Sequence, residues 1–248
     1  MTLPGQQLPV ALVTGAARRV GAVIARTLHA AGYDVALHYR HSHEEMDALI
    51  DELESARADS TVALQADLAD TQRIPSLIEQ TIARFGRLDA LVNNASAFYP
   101  TPLGTITASQ WDELFAANAR APLLLAQAAA PHLKQVHGTI VNIVDIYAQR
   151  PLPQHAVYCM SKAALAMATL ALARELGPDV RVNGVSPGAV LWPQNKQQVD
   201  REQIIARTPL QRAGTPEDVA GAVLWLLRDA GYVTGEIIRV DGGRAMAM

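Results

Sequence analysis

The sequence predicts an α/β fold: a doubly wound, parallel sheet of seven strands with helices on both faces, in a single domain over residues 1–248. Short runs rich in β-branched residues alternate with longer stretches rich in Ala and Leu, which is typical of repeated β-α-β units. Half of the residues are apolar and only 5% are aromatic. Small side chains let helices pack closely on a sheet, and a chain of this length buries one core without disulfides or a structural metal.

Each predicted element follows from the local composition. Strands are predicted where β-branched and aliphatic residues concentrate, at residues 10–14, 34–39, 61–66, 88–93, 138–144, 180–185 and 236–240. Helices are predicted between them, at about residues 22–31, 44–57, 71–85, 109–136, 155–176 and 216–228. A segment rich in Pro and Gln, at about residues 186–208, is predicted to form a substrate loop at the carboxyl end of the sixth strand, where open α/β sheets bind ligands.

Composition excludes several classes of partner. The chain has 21 basic and 24 acidic residues, so a net charge of −3 provides no field for nucleic acid or an anionic membrane surface. The first nine residues lack the features of an export signal, and the apolar stretch 121–131 is interrupted by Gln127, so neither export nor a membrane span is predicted. A single cysteine, Cys159, cannot form an internal disulfide. We therefore expect a cytoplasmic protein.

The first predicted strand leads through a glycine-rich turn, Thr14 to Gly21, directly into a helix. Such a turn lets the backbone approach a pyrophosphate and directs helix N–H groups at it, although a plain tight turn is the alternative. Arg19 stands where the middle glycine usually lies. The candidate cofactor-binding residues of this turn are Gly15, Arg18, Arg19 and Val20.

The second predicted strand ends without the acidic residue that would bind the ribose 2′-hydroxyl of NAD. Its end offers cationic and hydroxyl donors to a 2′-phosphate instead, which favours NADPH over NADH. A solvated basic loop is the alternative, and the histidines here lack the spacing of metal ligands, so no metal site is predicted. The candidate cofactor-binding residues of this segment are His38, Tyr39, Arg40, His41 and Ser42.

Polar residues also close the third and fourth predicted strands. Asp67, followed by Leu68, can accept from the adenine amino group, and Asn93 and Asn94 can hold the loop to its neighbouring strand. Capping alone is the other reading of Asp67 and Asn94. Asp67, Leu68, Asn94 and the following Ala95 and Ser96 are candidate cofactor-binding residues.

Tyr158 and Lys162 lie four residues apart on one face of a predicted helix. A free tyrosine has a pKa of about 10. A neighbouring ammonium favours the phenolate and allows proton exchange near neutral pH. The pair is therefore a candidate proton-transfer site.

Taken together, the glycine turn, Asn93-Asn94-Ala95, the Tyr158 and Lys162 pair and Ser186-Pro187-Gly188 resemble the short-chain dehydrogenase/reductase family, which has a Rossmann-type fold. The resemblance implies that Tyr158 donates or accepts a proton, Lys162 holds the nicotinamide ribose, and Asn118 anchors a proton-relay water. It also implies that Pro187, Gly188 and Val190 bind the cofactor and that Leu191 and Trp192 wall the substrate side.

Four departures from the common pattern resemble the pteridine reductases within that family. Asp145 replaces the catalytic serine thirteen residues before Tyr158, and Arg19 replaces the middle glycine. The other two are the segment 93–103 and the end of the second strand, 38–42. The resemblance implies that Phe98 and the nicotinamide sandwich a flat pterin ring, that Ser96 and Arg19 bind cofactor phosphate or pterin polar atoms, and that Asp145 works with Tyr158 in protonation.

The predicted function is NADPH-dependent reduction of a pterin or folate C=N bond. One alternative is a carbonyl reductase acting on ketoacyl thioesters, sugars or steroids, and Asp145 and Phe98 argue against it. The other is a non-catalytic NADPH-binding regulator, which would not need Tyr158, Lys162 and Asn118. The resemblance also implies a homotetramer, with the helices at 109–136 and 155–176 as the natural interface.

Overall fold

A computed structural model describes residues 7–190 and 201–247 of the chain. It confirms the predicted seven-stranded sheet: every neighbouring pair of strands is parallel, in the order β3-β2-β1-β4-β5-β6-β7. The strands are β1 (Val10–Val13), β2 (Asp34–Tyr39), β3 (Thr61–Gln65), β4 (Ala90–Asn93), β5 (Thr139–Ile143), β6 (Arg181–Pro187) and β7 (Ile237–Val240).

Helices cover both faces of this sheet. One apolar cluster joins α1, α2 and α8 to the first face, and a second cluster joins α3, α5 and α6 to the other. Because both faces are covered, β1, β4 and β5 are buried along their whole length, as expected of a parallel sheet. The helices are α1 (Arg19–Ala30), α2 (His43–Ala56), α3 (Ile74–Phe85), α4 (Ala108–Phe115), α5 (Ala121–Gln135), α6 (Ala156–Leu176), α7 (Arg201–Arg207) and α8 (Pro216–Arg228).

The order of the strands creates a crevice at the carboxyl ends of β1 and β4, in the middle of the sheet. β1 pairs with β2 on one side and with β4 on the other, so the chain reverses its direction of winding between β1 and β4. Connections leaving β1 and β4 diverge at their carboxyl ends and leave an opening there. The glycine turn follows β1 and Asn94 follows β4, so both lie at this crevice.

The structure differs from the predicted elements in two places that bear on the site. The helix predicted over 109–136 is divided by a π turn, Ala116–Arg120, that separates α4 from α5. Apolar spacing does not reveal such a turn, since both flanking helices continue the same pattern. The predicted loop at 186–208 contains the short helix α7 in its described part, and β6 extends to Pro187.

Helix α6 alone among the described helices is long and apolar enough to cross a membrane by length and composition. The sequence argument considered only the stretch at 121–131 and overlooked this helix. Half of its most apolar window is buried inside the protein, and its residues Leu172 and Ala173 belong to the apolar cluster on one face of the sheet. These are the features of a core helix packed on a sheet.

Candidate active site

The glycine turn is held by hydrogen bonds from two neighbouring strands. Gly15 has a φ of +62°, and its N–H donates to Nδ1 of His38 at 3.1 Å. The side chain of Asn94 donates to the carbonyls of Thr14 and Gly15, at 2.8 and 3.1 Å. Asn94 thus ties the end of β4 to the turn after β1, as the sequence analysis expected of the asparagine pair.

Two further positions shape the turn itself. A Cβ atom on Gly21 would lie 2.1 Å from the carbonyl oxygen of Gly15, so only glycine fits there. Arg19, the first residue of α1, has a φ of +55°, a left-handed conformation that costs energy for any residue with a side chain. Strain of this kind at an exposed arginine points to a functional role for its side chain.

His38 lies beneath the turn. Its ring is 2% exposed, Nδ1 accepts from Gly15, and Nε2 donates to the Ala66 carbonyl at 3.1 Å. Burial lowers the pKa of His38 to about 4, so the ring is neutral. The sequence analysis grouped His38 with the donors offered to the cofactor, but the structure gives both ring nitrogens backbone partners. Its contribution is to position the turn.

Exposed cationic groups lie in the turn after β1 and at the end of β2, and a serine hydroxyl without a capping bond follows β2. Arg18 and Arg40 are exposed, and each lies near one carboxylate: Arg18 at 3.4 Å from Glu45 and Arg40 at 3.8 Å from Asp67. Ser42 precedes α2 as its N-cap but makes no side-chain capping hydrogen bond. These groups suit an anionic ligand such as a ribose 2′-phosphate.

Two other residues predicted to bind the cofactor at this end of the sheet, Tyr39 and Asp67, already make hydrogen bonds within the protein. Asp67 accepts from the Ala69 N–H at 2.9 Å, which is the capping role left open by the sequence, and Leu68 is buried. The hydroxyl of Tyr39 lies 3.2 Å from Nδ1 of His43. His41 is exposed and Val20 is half-buried at the start of α1.

Tyr158 and Asp145 form the centre of the candidate catalytic group. Tyr158 lies in the first turn of α6 and Asp145 lies two residues after β5. The phenol donates to Oδ2 of Asp145 at 2.6 Å. The other carboxylate oxygen accepts from the Tyr147 N–H at 2.9 Å. Burial raises the pKa of Asp145, and burial together with the Asp145 carboxylate raises the pKa of Tyr158 well above 10. Both pKa values are therefore shifted toward the protonated form.

Lys162 lies one helical turn beyond Tyr158 and is 2% exposed. Its Nζ donates to the Ile143 carbonyl at 2.9 Å and lies 6.0 Å from the centre of the Tyr158 ring. Burial lowers the pKa of Lys162 to about 8, against the opposing effect of Asp145. The expectation that Lys162 favours a phenolate stays a prediction, since burial and Asp145 are the main influences on the pKa of Tyr158 in the structure.

Asn118 lies in the π turn between α4 and α5 and is fully buried. Its side chain accepts from the Ser96 hydroxyl and the Ala97 N–H, each at 2.9 Å, and donates to the Ala97 carbonyl and the Ser161 hydroxyl, each also at 2.9 Å. These four bonds occupy the side-chain amide, so Asn118 joins the segment after β4 to α6. The predicted anchoring of a water is a separate role that stays a prediction.

Phe98 lies beside the proton-donating group. Its ring contacts the Tyr158 ring edge to face, with centroids 4.7 Å apart and planes at 84°. It also stacks on the ring of His155, with centroids 4.8 Å apart and planes at 15°. His155 was not among the predicted site residues. The signal that was available is its position three residues before Tyr158, within one turn of the same helix start.

The segment after β6 closes the same side of the crevice. The Gly188 N–H donates to the Val240 carbonyl at 3.0 Å, a Cβ atom on Gly188 would lie 2.8 Å from Cα of Asp241, and Pro187 ends β6. Val190 is buried. Leu191 and Trp192, predicted to wall the substrate, lie outside the described residues.

A polar cavity of about 210 Å³ borders Asp145, with Gln149, Ser186 and Arg239 also in its wall.

Two other kinds of chemistry find little support in the described residues. Burial raises the pKa of the Cys159 thiol, which suits an inert side chain. Within residues 7–190 and 201–247, no three His, Cys, Asp or Glu side chains are grouped as metal ligands.

Comparison with known proteins agrees with this arrangement. Residues 15–245 match a family model described as enoyl-(acyl carrier protein) reductase. The chain is 38% identical over 279 residues to pteridine reductase 1 of Leishmania tarentolae, covering 96% of each chain. It is 36% identical to an oxidoreductase of Methylorubrum extorquens, covering 94% of this chain and 96% of the relative. It is also 35% identical to 3-oxoacyl-(acyl-carrier-protein) reductase of Staphylococcus aureus, covering 95% and 98%.

Proposed function

We propose that this chain, which belongs to the short-chain dehydrogenase/reductase family, is an oxidoreductase that reduces a C=N bond of a pterin or folate with NADPH. The observation that carries the proposal is the 2.6 Å hydrogen bond from Tyr158 to Asp145. A ring nitrogen that gains a proton during reduction is served by two adjacent acidic groups whose pKa values are both raised. Similarity to a pteridine reductase across 96% of the chain supports the same substrate class.

The aromatic ring of Phe98 supports a flat substrate. Phe98 is 44% exposed although its ring contacts both Tyr158 and His155. An exposed aromatic face next to a proton donor suits a planar heterocycle, since aromatic rings stack favourably. The open part of the Phe98 ring is therefore the proposed seat of the pterin.

The residues at the carboxyl ends of β1 and β2 fit a phosphorylated dinucleotide. The glycine turn at the N-terminus of α1 and the uncapped hydroxyl of Ser42 suit phosphate groups. Arg18 and Arg40 supply positive charge for a 2′-phosphate, and Lys162 would hold the nicotinamide ribose. When bound, NADPH supplies the hydride.

The proton balance follows from the side chains. The substrate carbon gains a hydride, and the adjacent nitrogen gains a proton from the Tyr158 hydroxyl. The Tyr158 oxygen recovers a proton from Asp145, to which it is already hydrogen-bonded. Asp145 regains its own proton from solvent through the polar cavity that it borders. One hydride and one proton thus saturate one C=N bond.

Reduction of a ketone is the second candidate function. The relative from Staphylococcus aureus is named as a reductase of 3-oxoacyl groups and is 35% identical to this chain, nearly as similar as the pteridine reductase. The exposed face of Phe98 favours a planar ring over a ketone. Asp145 disfavours a ketone only when it is ionised, because an oxygen that becomes negative gains nothing from a neighbouring carboxylate.

The test is NADPH oxidation with 7,8-dihydropterins and dihydrofolate beside a panel of ketones and ketoacyl thioesters. We expect turnover of the pterins, with activity lost by roughly 10²-fold or more in Tyr158→Phe and in Asp145→Ser. Cys159→Ser is the matched control, since it alters a neighbouring buried side chain outside the proton path. Turnover of ketones only, with Asp145→Ser gaining ketone activity, would favour the second candidate and reject the first.

We also propose a homotetramer. In a single chain, the helices predicted as the interface expose several apolar side chains to solvent. Multi-angle light scattering should give a mass of four chains, and a strict monomer would reject this proposal. The exposed apolar residues of α4, α5 and α6 are Trp111, Leu123, Met160, Met167 and Leu170.

A further inference from the structure

We propose that His155 is a positioning residue that fixes the plane of the Phe98 ring and thereby selects flat, conjugated substrates. The inference rests on the proposed function, since it deepens the role of Phe98 as the seat of a planar ring. It assigns to His155 a contribution to substrate binding that is separate from proton transfer.

The stacked contact covers one face of Phe98. The two rings lie almost parallel, at 15°, with centroids 4.8 Å apart. His155 is 3% exposed and Phe98 is 44% exposed. The remaining exposure of Phe98 therefore belongs to its other face and edges. A ring that is covered on one side and open on the other presents a single surface to a ligand.

A second contact restrains the same ring from another direction. The Tyr158 ring meets Phe98 at 84°, with centroids 4.7 Å apart. One nearly parallel neighbour and one nearly perpendicular neighbour together restrict both the tilt and the rotation of Phe98. The side chain of Phe98 otherwise stands on an irregular segment after β4, which alone would leave it several orientations.

His155 is itself firmly held. Its Nδ1 lies 2.8 Å from the Pro153 carbonyl, and its own carbonyl accepts from the Cys159 N–H at 2.9 Å. The backbone of Thr101 pairs with this segment, donating to the Gln154 carbonyl at 2.6 Å. His155 thus links the segment carrying Phe98 to the start of α6, three residues before Tyr158.

The contacts of the His155 side chain indicate that it acts on Phe98 through the flat face of its imidazole ring. His155 is the N-cap of α6 but makes no side-chain capping bond. Its Nε2 is buried and has no hydrogen-bond partner within the described part of the chain. A buried polar atom without a partner is unfavourable. Stacking on Phe98 is the contact of the His155 side chain that reaches toward the site.

The test compares an aromatic with an aliphatic replacement. In His155→Leu we expect KM for a 7,8-dihydropterin to rise roughly 5- to 10-fold, the scale of one aromatic contact, with kcat within about 2-fold. In His155→Phe, which keeps a flat ring, KM should stay within about 2-fold of the original value. Melting temperatures of all variants control for folding, and KM for NADPH should not change.

A double-mutant cycle connects the effect to Phe98. Phe98→Leu should itself raise KM, and adding His155→Leu to it should raise KM no further, because the ring being positioned is gone. Equal losses in His155→Phe and His155→Leu, or an undiminished effect of His155→Leu in the Phe98→Leu background, would overturn the inference.

Titration of pterin fluorescence with enzyme and NADP⁺ separates this inference from the proposed function. If the unaltered enzyme binds pterin but does not reduce it, the proposed function fails, and the ratio of Kd values between the His155 variants still decides the inference. If the unaltered enzyme neither binds nor reduces pterins, both proposals fail.

Discussion

The hydroxyl of Tyr158 donates to Oδ2 of Asp145 across 2.6 Å, although the two residues come from different elements, the start of α6 and the end of β5. The contact places two acidic groups side by side in a buried position. Burial raises the pKa of each, and the Asp145 carboxylate further raises the pKa of Tyr158. This arrangement favours giving protons to a substrate over removing them.

The pH dependence of catalysis should report the proton on Asp145. Because the pKa of Asp145 is raised, the protonated form persists above its ordinary range and is lost as pH rises through the raised value. We expect kcat/KM for a dihydropterin to fall as pH rises through that value. In Asp145→Asn the decline should disappear and kcat should drop by roughly 10²-fold. An unchanged pH profile in Asp145→Asn would contradict the assignment.

Loss of the charge on Lys162 should weaken NADPH binding at alkaline pH. Its pKa of about 8 means that it loses its charge as pH rises through that value, so KM for NADPH should increase there if Lys162 holds the ribose. Asp145 supports the charge on Lys162. Asp145→Asn should therefore move this increase to lower pH. The measurement is KM for NADPH across the alkaline range, and an increase that stays in place in Asp145→Asn would exclude the coupling.

Two replacements of Arg19 should distinguish the free-energy cost of its backbone conformation from the contribution of its guanidinium to ligand binding. Both Arg19→Gly and Arg19→Ala remove the guanidinium, so both should raise KM for NADPH or for the pterin to the same extent. Only glycine adopts the φ of +55° without cost, so the Gly variant should exceed the Ala variant in unfolding free energy by about 1 kcal/mol. Urea denaturation measures this difference. Equal stability would argue against strain at Arg19.

Arg40 should determine the preference between the two nicotinamide cofactors. Arg40→Ala removes a guanidinium that lies 3.8 Å from Asp67 at the end of β2. We expect kcat/KM with NADPH to fall roughly 10-fold and kcat/KM with NADH to change little, because only NADPH carries the 2′-phosphate. Arg84→Ala is the control, since Arg84 pairs with Asp59 away from the crevice. Equal losses with both cofactors would assign Arg40 a different role.

His38 should make the protein sensitive to mild acid. The folded state keeps the pKa of His38 near 4, against an ordinary value of 6.5. The unfolded chain therefore binds a proton first as pH falls, so the stability that His38 provides is present above pH 6.5 and is lost toward pH 4. Between pH 7 and pH 5 this amounts to about 2 kcal/mol of unfolding free energy.

The variant His38→Gln tests this sign. Glutamine offers an acceptor and a donor but does not titrate, so the extra loss of stability between pH 7 and pH 5 should vanish. Urea denaturation of both proteins at the two pH values gives the comparison. A variant that loses as much stability as the original protein would show that other groups cause the acid sensitivity.

The fold was predictable because its signals are local and repeated. The run at 10–14 and the stretch beginning near residue 22 each show their type within a few residues, and β1 and α1 lie there. The division between α4 and α5 was not predictable, since the π turn at Ala116–Arg120 leaves the spacing of apolar residues intact. What marks that turn is the hydrogen bonding of Asn118 with the segment after β4 and with α6.

The sequence by itself determined the fold class, the glycine turn and the pairing of Tyr158 with Lys162, because each depends on residues close together in the chain. Only the tertiary structure decided that His38 lies under the turn, that Tyr158 donates to Asp145, and that His155 stacks on Phe98. Those contacts join strands, turns and helices separated along the chain. Their distances, and the burial that raises or lowers each pKa, exist only once the sheet has brought the elements together.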